Sequence, residues 1–131
     1  MKALYLSSWT AHQVSRMAPD GSISPLAGGF PAYVTDLAIP SPSSQFAPGI
    51  YALQQSSPGI YHIAANGAVR LAFPYAGNLA AGEEGSFAPP GSAFGDALYH
   101  LTRDARVQRI FPDGTAETVA SGGGLSFGVY T

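Results

Sequence analysis

The feature that most constrains this chain is a two-residue turn signal that occurs three times at nearly equal spacing. The turns are Asp20-Gly21, Asn66-Gly67 and Asp113-Gly114, which lie 46 and 47 residues apart. Asp-Gly and Asn-Gly are strong signals for a β-hairpin, because a type I′ turn needs positive φ at both central residues. Each repeat is therefore predicted to contain a hairpin, and a fold built from equal units is expected.

The residues around each turn repeat as well. The matching stretches are ALYLSSWTAHQVSRMAPDGSISPLAGG from Ala3, GIYALQQSSPGIYHIAANGAVRLAFPYAG from Gly49 and ALYHLTRDARVQRIFPDGTAETVASGG from Ala97. Each has an aliphatic residue and a tyrosine (Tyr5, Tyr51, Tyr99), then a polar turn, a β-rich run, the glycine turn and a second short run. A period of this length is typical of one β-propeller blade. The sequence thus predicts an all-β single domain over residues 1–131, made of three four-stranded blades.

The fourth strand of each blade is expected in the segments between the repeats. Residues 33–39 precede the second repeat and residues 86–94 precede the third, so the repeats run near 3–29, 33–77 and 86–123. Residues 125–131 follow the third repeat and are predicted to close the first blade. Propellers typically need roughly four to eight blades to close a ring. Three blades are therefore half of a six-bladed propeller: either a second copy completes the ring, as a homodimer, which we favour, or the sequence is half of a longer chain.

The composition is consistent with this interpretation and excludes several classes of partner. Charged residues are only 11% of the chain, while 16 Gly and 11 Pro suit many short strands and tight turns. So few charges indicate that part of the surface is covered by another copy or another chain. A net charge of -2 with six Lys and Arg argues against nucleic acid. The sequence has no apolar run of the kind that predicts a membrane span or a secretory signal. The compartment is therefore left open, with the cytoplasm slightly favoured.

The repeats resemble a known family. LYLSSWTAHQVSRMAPDGSISPLAGG and VQRIFPDGTAETVASGG are similar to the NHL repeat, and GIYHIAANGAVRLAF matches it more loosely. The Ala-Asp pair that follows the first strand of that repeat is replaced here by Ser7-Ser8, Gln54-Gln55 and Thr102-Arg103. The resemblance implies a propeller scaffold and no particular reaction. Related propellers include protein-binding and carbohydrate-related modules, lactonases and strictosidine synthase-like enzymes.

Two side chains are candidates for ligand contact at the channel of such a propeller. Asp36, beside Thr35, lies in a predicted inner strand, where its carboxylate would bind calcium or a sugar hydroxyl, or else serve only as a cap. Trp9 has no aromatic counterpart at the equivalent positions Gln55 and Arg103 and is predicted to stack on a sugar ring. The repeated tyrosines are instead expected in the core between blades.

A basic position recurs four residues before each turn. It is occupied by Arg16, His62 and Arg109, and equivalent positions in successive blades would trace an arc. Two interpretations remain open. The arc forms a polar or anion-binding ring, or each basic side chain simply extends past the packed strand toward solvent.

The remaining polar residues do not form a catalytic or metal-binding pattern. Glu83 and Glu84 are predicted to lie in a solvated loop, since adjacent acids point apart in an extended chain. His12, His62 and His100 fall at different distances from their repeat tyrosines, so a zinc site within one chain is not expected. No catalytic residues, no metal site and no cofactor are predicted.

Three functions remain as hypotheses. The first is a non-enzymatic binding or scaffold module, with a small molecule, carbohydrate or protein partner at the mouth of the channel. The second, implied by the resemblance, is a metal-dependent lactonase or strictosidine synthase-like hydrolase, to which Asp36 and Asn78 would contribute. The third is a carbohydrate-binding lectin that depends on Trp9.

Overall fold

The structure is a computed structural model that describes residues 3–8 and 10–122 of the chain. Eleven strands form three antiparallel sheets. The first sheet contains β1 (Leu4–Ser8), β2 (Gln13–Met17) and β3 (Ile23–Ala27); the second contains β4 (Val34–Ala38), β5 (Ile50–Gln54), β6 (Gly59–Ile63) and β7 (Val69–Pro74); the third contains β8 (Gly82–Ala88), β9 (Ala97–Thr102), β10 (Arg106–Ile110) and β11 (Ala116–Ser121). Within these residues, no helix has the length and apolar character needed to cross a membrane.

The three sheets share one register, which explains the repeat in the sequence. The repeated tyrosine of each sheet lies opposite the repeated basic position, in the pairs Tyr5–Arg16, Tyr51–His62 and Tyr99–Arg109. A β-bulge also interrupts the outermost strand pair of each sheet at the same place, between Val14 and Ser15, Ile60 and Tyr61, and Val107 and Gln108. Bulges bend a strand and increase its twist. The predicted all-β repeat architecture is therefore confirmed.

The hairpins are confirmed, but the predicted turn type is wrong. The Gly21 N–H donates to the Ala18 carbonyl at 2.9 Å, and only Gly21 of the Asp20-Gly21 pair has positive φ. This is a three-residue loop in which a right-handed turn is followed by a left-handed glycine. The Asp20 carboxylate accepts a hydrogen bond from the Ser22 N–H at 2.9 Å and stabilises that turn. The Ser22 hydroxyl also donates to this carboxylate, at 2.6 Å, and this bond together with the one from the Ser22 N–H lowers the pKa of Asp20.

The first strands of the second and third sheets differ in how well they were predicted. Residues 33–39 do contain a strand, β4. The strand predicted at residues 86–94 lies earlier, at Gly82–Ala88, and it ends where Pro89 and Pro90 remove two backbone donors. The predicted loop at Glu83 and Glu84 is therefore wrong, because both acids lie within β8.

The first sheet has three strands among the described residues, and β1 is at its edge. The segment predicted to complete it, residues 125–131, lies outside the described residues. The first sheet thus differs from the two four-stranded sheets by the strand that corresponds to β4 and β8.

The core consists of two clusters, each lying between successive sheets. One joins the first and second sheets and includes Val14, Phe30, Ile50 and Ile63. The other joins the second and third sheets and is richer in aromatic residues; it includes Tyr51, Leu53, Phe73, Phe87, Leu98 and Ile110. Because each sheet buries a face against its neighbour, the second sheet is covered on both sides, whereas residues 3–8 and 10–122 cover only one side of each outer sheet.

Candidate functional site

Asp36 lies on β4, as predicted, and its carboxylate connects two sheets. One carboxylate oxygen accepts a hydrogen bond from the Gly85 N–H of β8 at 2.9 Å, and the other accepts one from the Leu37 N–H at 2.8 Å. Burial raises the pKa of Asp36, although these two bonds act in the opposite direction. Both oxygens therefore have a structural partner, and Asp36 helps to hold β4 beside β8.

A second acid, Glu83, occupies the more distinctive position. Its Oε1 accepts a hydrogen bond from Gln55 Nε2 at 3.2 Å and lies 3.5 Å from Arg103 Nε. The Thr35 hydroxyl donates to the Glu83 backbone carbonyl at 2.6 Å. The Glu83 side chain is only 14% exposed, whereas that of Arg103 is 54% exposed. We call these four residues, Thr35, Gln55, Glu83 and Arg103, the Glu83 cluster.

Equivalent irregularities in two sheets create this cluster. The pairing of β4 with β5 shifts between Val34 and Asp36, which makes Thr35 a bulge, and the pairing of β8 with β9 shifts between Gly82 and Glu84, which makes Glu83 the matching bulge. A bulge redirects the side chain of its extra residue. Both bulges lie at the end of the sheets where β4 and β8 begin.

Two backbone hydrogen bonds fix the other members of the cluster at the same end. The Gln55 N–H donates to the Tyr33 carbonyl at 3.2 Å, and the Arg103 N–H donates to the Ala81 carbonyl at 3.0 Å. Gln55 and Arg103 occupy the same repeat position as Trp9, the residue that the sequence predicts to stack on a sugar ring. Trp9 itself lies outside the described residues. The sequence did not predict a site at Glu83, because no local sequence pattern marks the bulge that directs its side chain toward Gln55 and Arg103.

The Glu83 cluster offers hydrogen-bond donors and acceptors without a net charge. The Glu83 carboxylate offsets the charge of the Arg103 guanidinium, and the Gln55 side chain supplies a neutral amide. Among the described residues, the terminal nitrogens of Arg103 have no hydrogen-bond partner. The arrangement can therefore bind a polar, uncharged group, while neither a strong anion nor a strong cation matches its charge.

The repeated basic residues are not part of this cluster, because they lie on β2, β6 and β10. His62 is buried; its Nε2 lies 2.8 Å from the Pro48 carbonyl and its ring packs edge-on against Tyr51. Arg109 forms an ion pair with Glu117, and its guanidinium lies 5.1 Å from the Phe111 ring. Arg16 lines a cavity of about 310 Å³ between the first and second sheets. The three positions have different environments, so a ligand-binding role for them stays a prediction.

His100 is a fully buried histidine that the sequence did not distinguish. Its Nε2 lies 3.2 Å from Gln108 Oε1, which also accepts a hydrogen bond from the Ala80 N–H at 2.9 Å. Nε2 must therefore carry the proton, and Nδ1, which faces Gly82, is a buried acceptor with no partner among the described residues. Burial lowers the pKa of His100 to about 4, so the ring is neutral near neutral pH.

This histidine should make stability depend on pH. The ordinary pKa of 6.5 applies in the unfolded chain, and the folded pKa is about 4. As pH falls from 6.5 toward 4, the unfolded chain binds a proton that the folded chain does not. The free energy of unfolding should then fall by up to about 3 kcal/mol.

The check is urea denaturation at pH 7 and pH 4.5, compared with His100→Leu. The variant should lose much of the stability difference between the two pH values, because it removes the titrating ring. An equal pH dependence in both proteins would contradict this assignment.

The described residues do not bring together the side chains that a metal site needs. No group of three or more His, Cys, Asp or Glu side chains lies close enough there to hold an ion. Asn78, expected to assist Asp36, lies in the connection between β7 and β8, where its backbone carbonyl accepts a hydrogen bond from Gln108 Nε2 at 2.6 Å. Nothing in this part of the chain joins Asn78 to Asp36.

Comparison with known proteins identifies the fold at a coarse level. No protein-family model and no curated protein matches the chain. Among solved structures, it is similar to selenomethionine-substituted virginiamycin B lyase from Staphylococcus aureus, a β-propeller, with a TM-score of 0.66 and 18% sequence identity. The similarity covers 88% of this chain and 36% of the lyase, so this chain spans well under half of that protein. At this identity the likeness concerns fold alone, and the three sheets are β-propeller-like.

Proposed function

We propose that this chain is a non-enzymatic binding module built from NHL-like propeller repeats, and that its ligand contacts the Glu83 cluster. The observation that carries the proposal is the position of Glu83, a largely covered carboxylate held between Gln55 of one sheet and Arg103 of the next. In a closed propeller, the first strands of the sheets surround the channel. The end where β4 and β8 begin would then be one mouth of that channel, where a ligand can enter.

The chemistry of the cluster favours a ligand rich in hydroxyl groups. A hydroxyl both donates and accepts, so it can bond the Glu83 carboxylate and the terminal nitrogens of Arg103 together. Because the charges of Glu83 and Arg103 offset each other, the cluster needs no charge on the ligand for electrostatic balance. A mono- or oligosaccharide fits this description, which places the lectin hypothesis within the same proposal.

The rival proposal is a metal-dependent hydrolase of the lactonase or strictosidine synthase-like kind. It would need several acids or amides around one ion, but both Asp36 oxygens already accept backbone hydrogen bonds. Calcium binding measured by titration calorimetry, and lost in Asp36→Ala, would support the hydrolase over the binding module.

Replacing Glu83 with glutamine should weaken saccharide binding at least about 10-fold, because a charge-assisted hydrogen bond contributes roughly 1.5–3 kcal/mol. The measurement is retention of the protein on an array of immobilised mono- and oligosaccharides, followed by calorimetry with the best ligand. Glu84→Gln is the matched control, since it removes the same charge from the neighbouring residue of β8.

The control should bind as the unmodified chain does. If no saccharide retains the unmodified chain, the ligand class is wrong. If both variants lose binding equally, a general effect of charge is responsible and the assignment of Glu83 fails. Capture of a protein through this surface in place of a saccharide would support the scaffold form of the module.

A further inference from the structure

One face of the first sheet is apolar, and nothing in the described part of the chain covers it. Leu4, Met17 and Ile23 lie side by side across its three strands, and paired residues of neighbouring strands share a face. Leu4 is 59% exposed and Ile23 is 61% exposed. Exposed apolar rows of this kind usually mark an interaction surface. We call this surface the leading face of the first sheet.

The positions equivalent to Leu4 and Met17 are buried in both of the other sheets, whereas Val69, the equivalent of Ile23, is 40% exposed. In the second sheet Ile50 lies opposite Ile63, and both are buried in the cluster that joins this sheet to the first. In the third sheet Leu98 lies opposite Ile110, and both are buried in the cluster shared with the second sheet. Along these first two positions, the leading face of a sheet is thus covered by the sheet before it wherever one is present.

The turn glycines follow the same rule. A Cβ added to Gly67 would lie 2.6 Å from the Leu26 carbonyl of the preceding sheet, and one added to Gly114 would lie 3.6 Å from the Phe73 ring. One added to the equivalent Gly21 would have nothing within 4 Å. The first sheet therefore has space for a preceding sheet at its turn as well as along its leading face.

The opposite, trailing face of each sheet carries the repeated tyrosine. Tyr5 packs against the cluster that contains Ile50 and Ile63 of the second sheet, and Tyr51 packs in the cluster that contains Leu98 and Ile110 of the third. On the third sheet this face carries Tyr99, and no further sheet covers it among the described residues. The molecule therefore has one open leading face and one open trailing face of the kinds that already meet twice within it.

We propose that a second copy of this chain covers the leading face, with the trailing face of its third sheet packed on Leu4, Met17 and Ile23. The reciprocal contact then forms on the other side, and two chains make a closed two-fold ring of six sheets. The same pairing of faces occurs four times within the chains and twice between them. The low charge of 11% agrees with a surface that is largely covered. This inference names the partner in the proposed module, but it does not depend on any ligand.

The first test is the mass in solution by light scattering, without ligand. Twice the chain mass of 13.5 kDa is expected. A monomer at tens of micromolar, or an assembly of three or more chains, would overturn the proposal. Because no ligand enters this measurement, its failure is distinct from a failure of saccharide binding.

A matched pair of variants tests which surface is used. Leu6 lies two residues from Leu4 on the same face and is 40% exposed, while Leu71 of β7 is 38% exposed away from the proposed contact. Leu6→Asp should raise the dissociation constant of the pair at least about 100-fold, and Leu71→Asp should change it less than about 3-fold. Equal effects of the two would overturn the assignment of the surface.

Cross-linking between introduced cysteines tests the pairing. The chain has no cysteine of its own, so each cross-link reports the introduced positions alone. Ser22 adjoins the open turn at Gly21, and Val119 is the bulge residue of the third sheet that corresponds to Leu26. A mixture of Ser22→Cys and Val119→Cys should give covalent pairs with a short bismaleimide, whereas neither variant alone should. Cross-links in either single variant at the same yield, or none in the mixture, would overturn the proposed contact.

Discussion

Replacing Tyr51 with alanine is expected to lower the free energy of unfolding by about 4 kcal/mol, as large-to-small changes at buried aromatic residues do. The Tyr51 ring is buried between the second and third sheets, where it stacks on Phe73 at 5.8 Å between ring centroids and packs edge-on against Phe46 and Phe87. The loss would be measured by equilibrium urea denaturation. Because a small domain is stable by only about 5–15 kcal/mol, the variant should lose about a quarter or more of its stability.

Tyr51→Phe is the control for the hydroxyl group. The Tyr51 hydroxyl donates to the Ala47 carbonyl at 3.1 Å, so its loss should cost about 1 kcal/mol. Most of the effect of Tyr51→Ala should therefore come from the ring. If Phe were as destabilising as Ala, the hydrogen bond rather than ring packing would dominate, and this account of the core would be wrong.

Gly59→Ala should destabilise the second sheet by at least about 3 kcal/mol, through overpacking and backbone strain together. Gly59 begins β6 with φ at +154°, a conformation that side chains rarely adopt. A Cβ there would overlap the Phe73 carbonyl oxygen and lie 2.8 Å from the Pro74 Cα, so β7 would have to move. The expected results are a lower urea midpoint and increased amide exchange in β6 and β7.

Gly28→Ala provides the matched control for this prediction. Gly28 lacks the positive φ, and an added Cβ would make only an ordinary contact of 3.6 Å with the Gln13 Cβ. Its stability should change by less than about 1 kcal/mol, and a slight gain is expected because alanine restricts the unfolded chain. A similar loss in both variants would mean that steric overlap at Gly59 is not the cause.

Much of the fold could be predicted from local sequence. The turns at Gly21, Gly67 and Gly114 recur because each hairpin needs a left-handed residue, and that requirement is met within a few residues. The strand β4 could also be predicted locally, since its strand-forming residues follow one another in the sequence. The turn type could not be predicted in this way. The Asp-Gly dipeptide is compatible with either hand at Asp20, and only Gly21 has positive φ.

The candidate site could be predicted only in part. Asp36 was identified on β4, but its partner Gly85 lies on another sheet. Glu83 was assigned to a loop, because its Gly neighbours and the later prolines resemble a turn. Its role depends on Gln55, which follows a strand of the second sheet, and on Arg103, which follows the strand paired with β8. Contacts between residues so distant in sequence leave no local pattern.

The three repeated tyrosines separate what the local sequence determines from what the tertiary structure determines. By itself the sequence determined that Tyr5, Tyr51 and Tyr99 occupy one position in three equal hairpin units, because strand alternation and turn chemistry are local. Only the tertiary structure decided that Tyr51 is enclosed between two sheets while Tyr99 lies on a face without a neighbour among the described residues. The physical reason is that burial depends on what packs against a strand, and sheets of equal sequence pattern differ only in their neighbours.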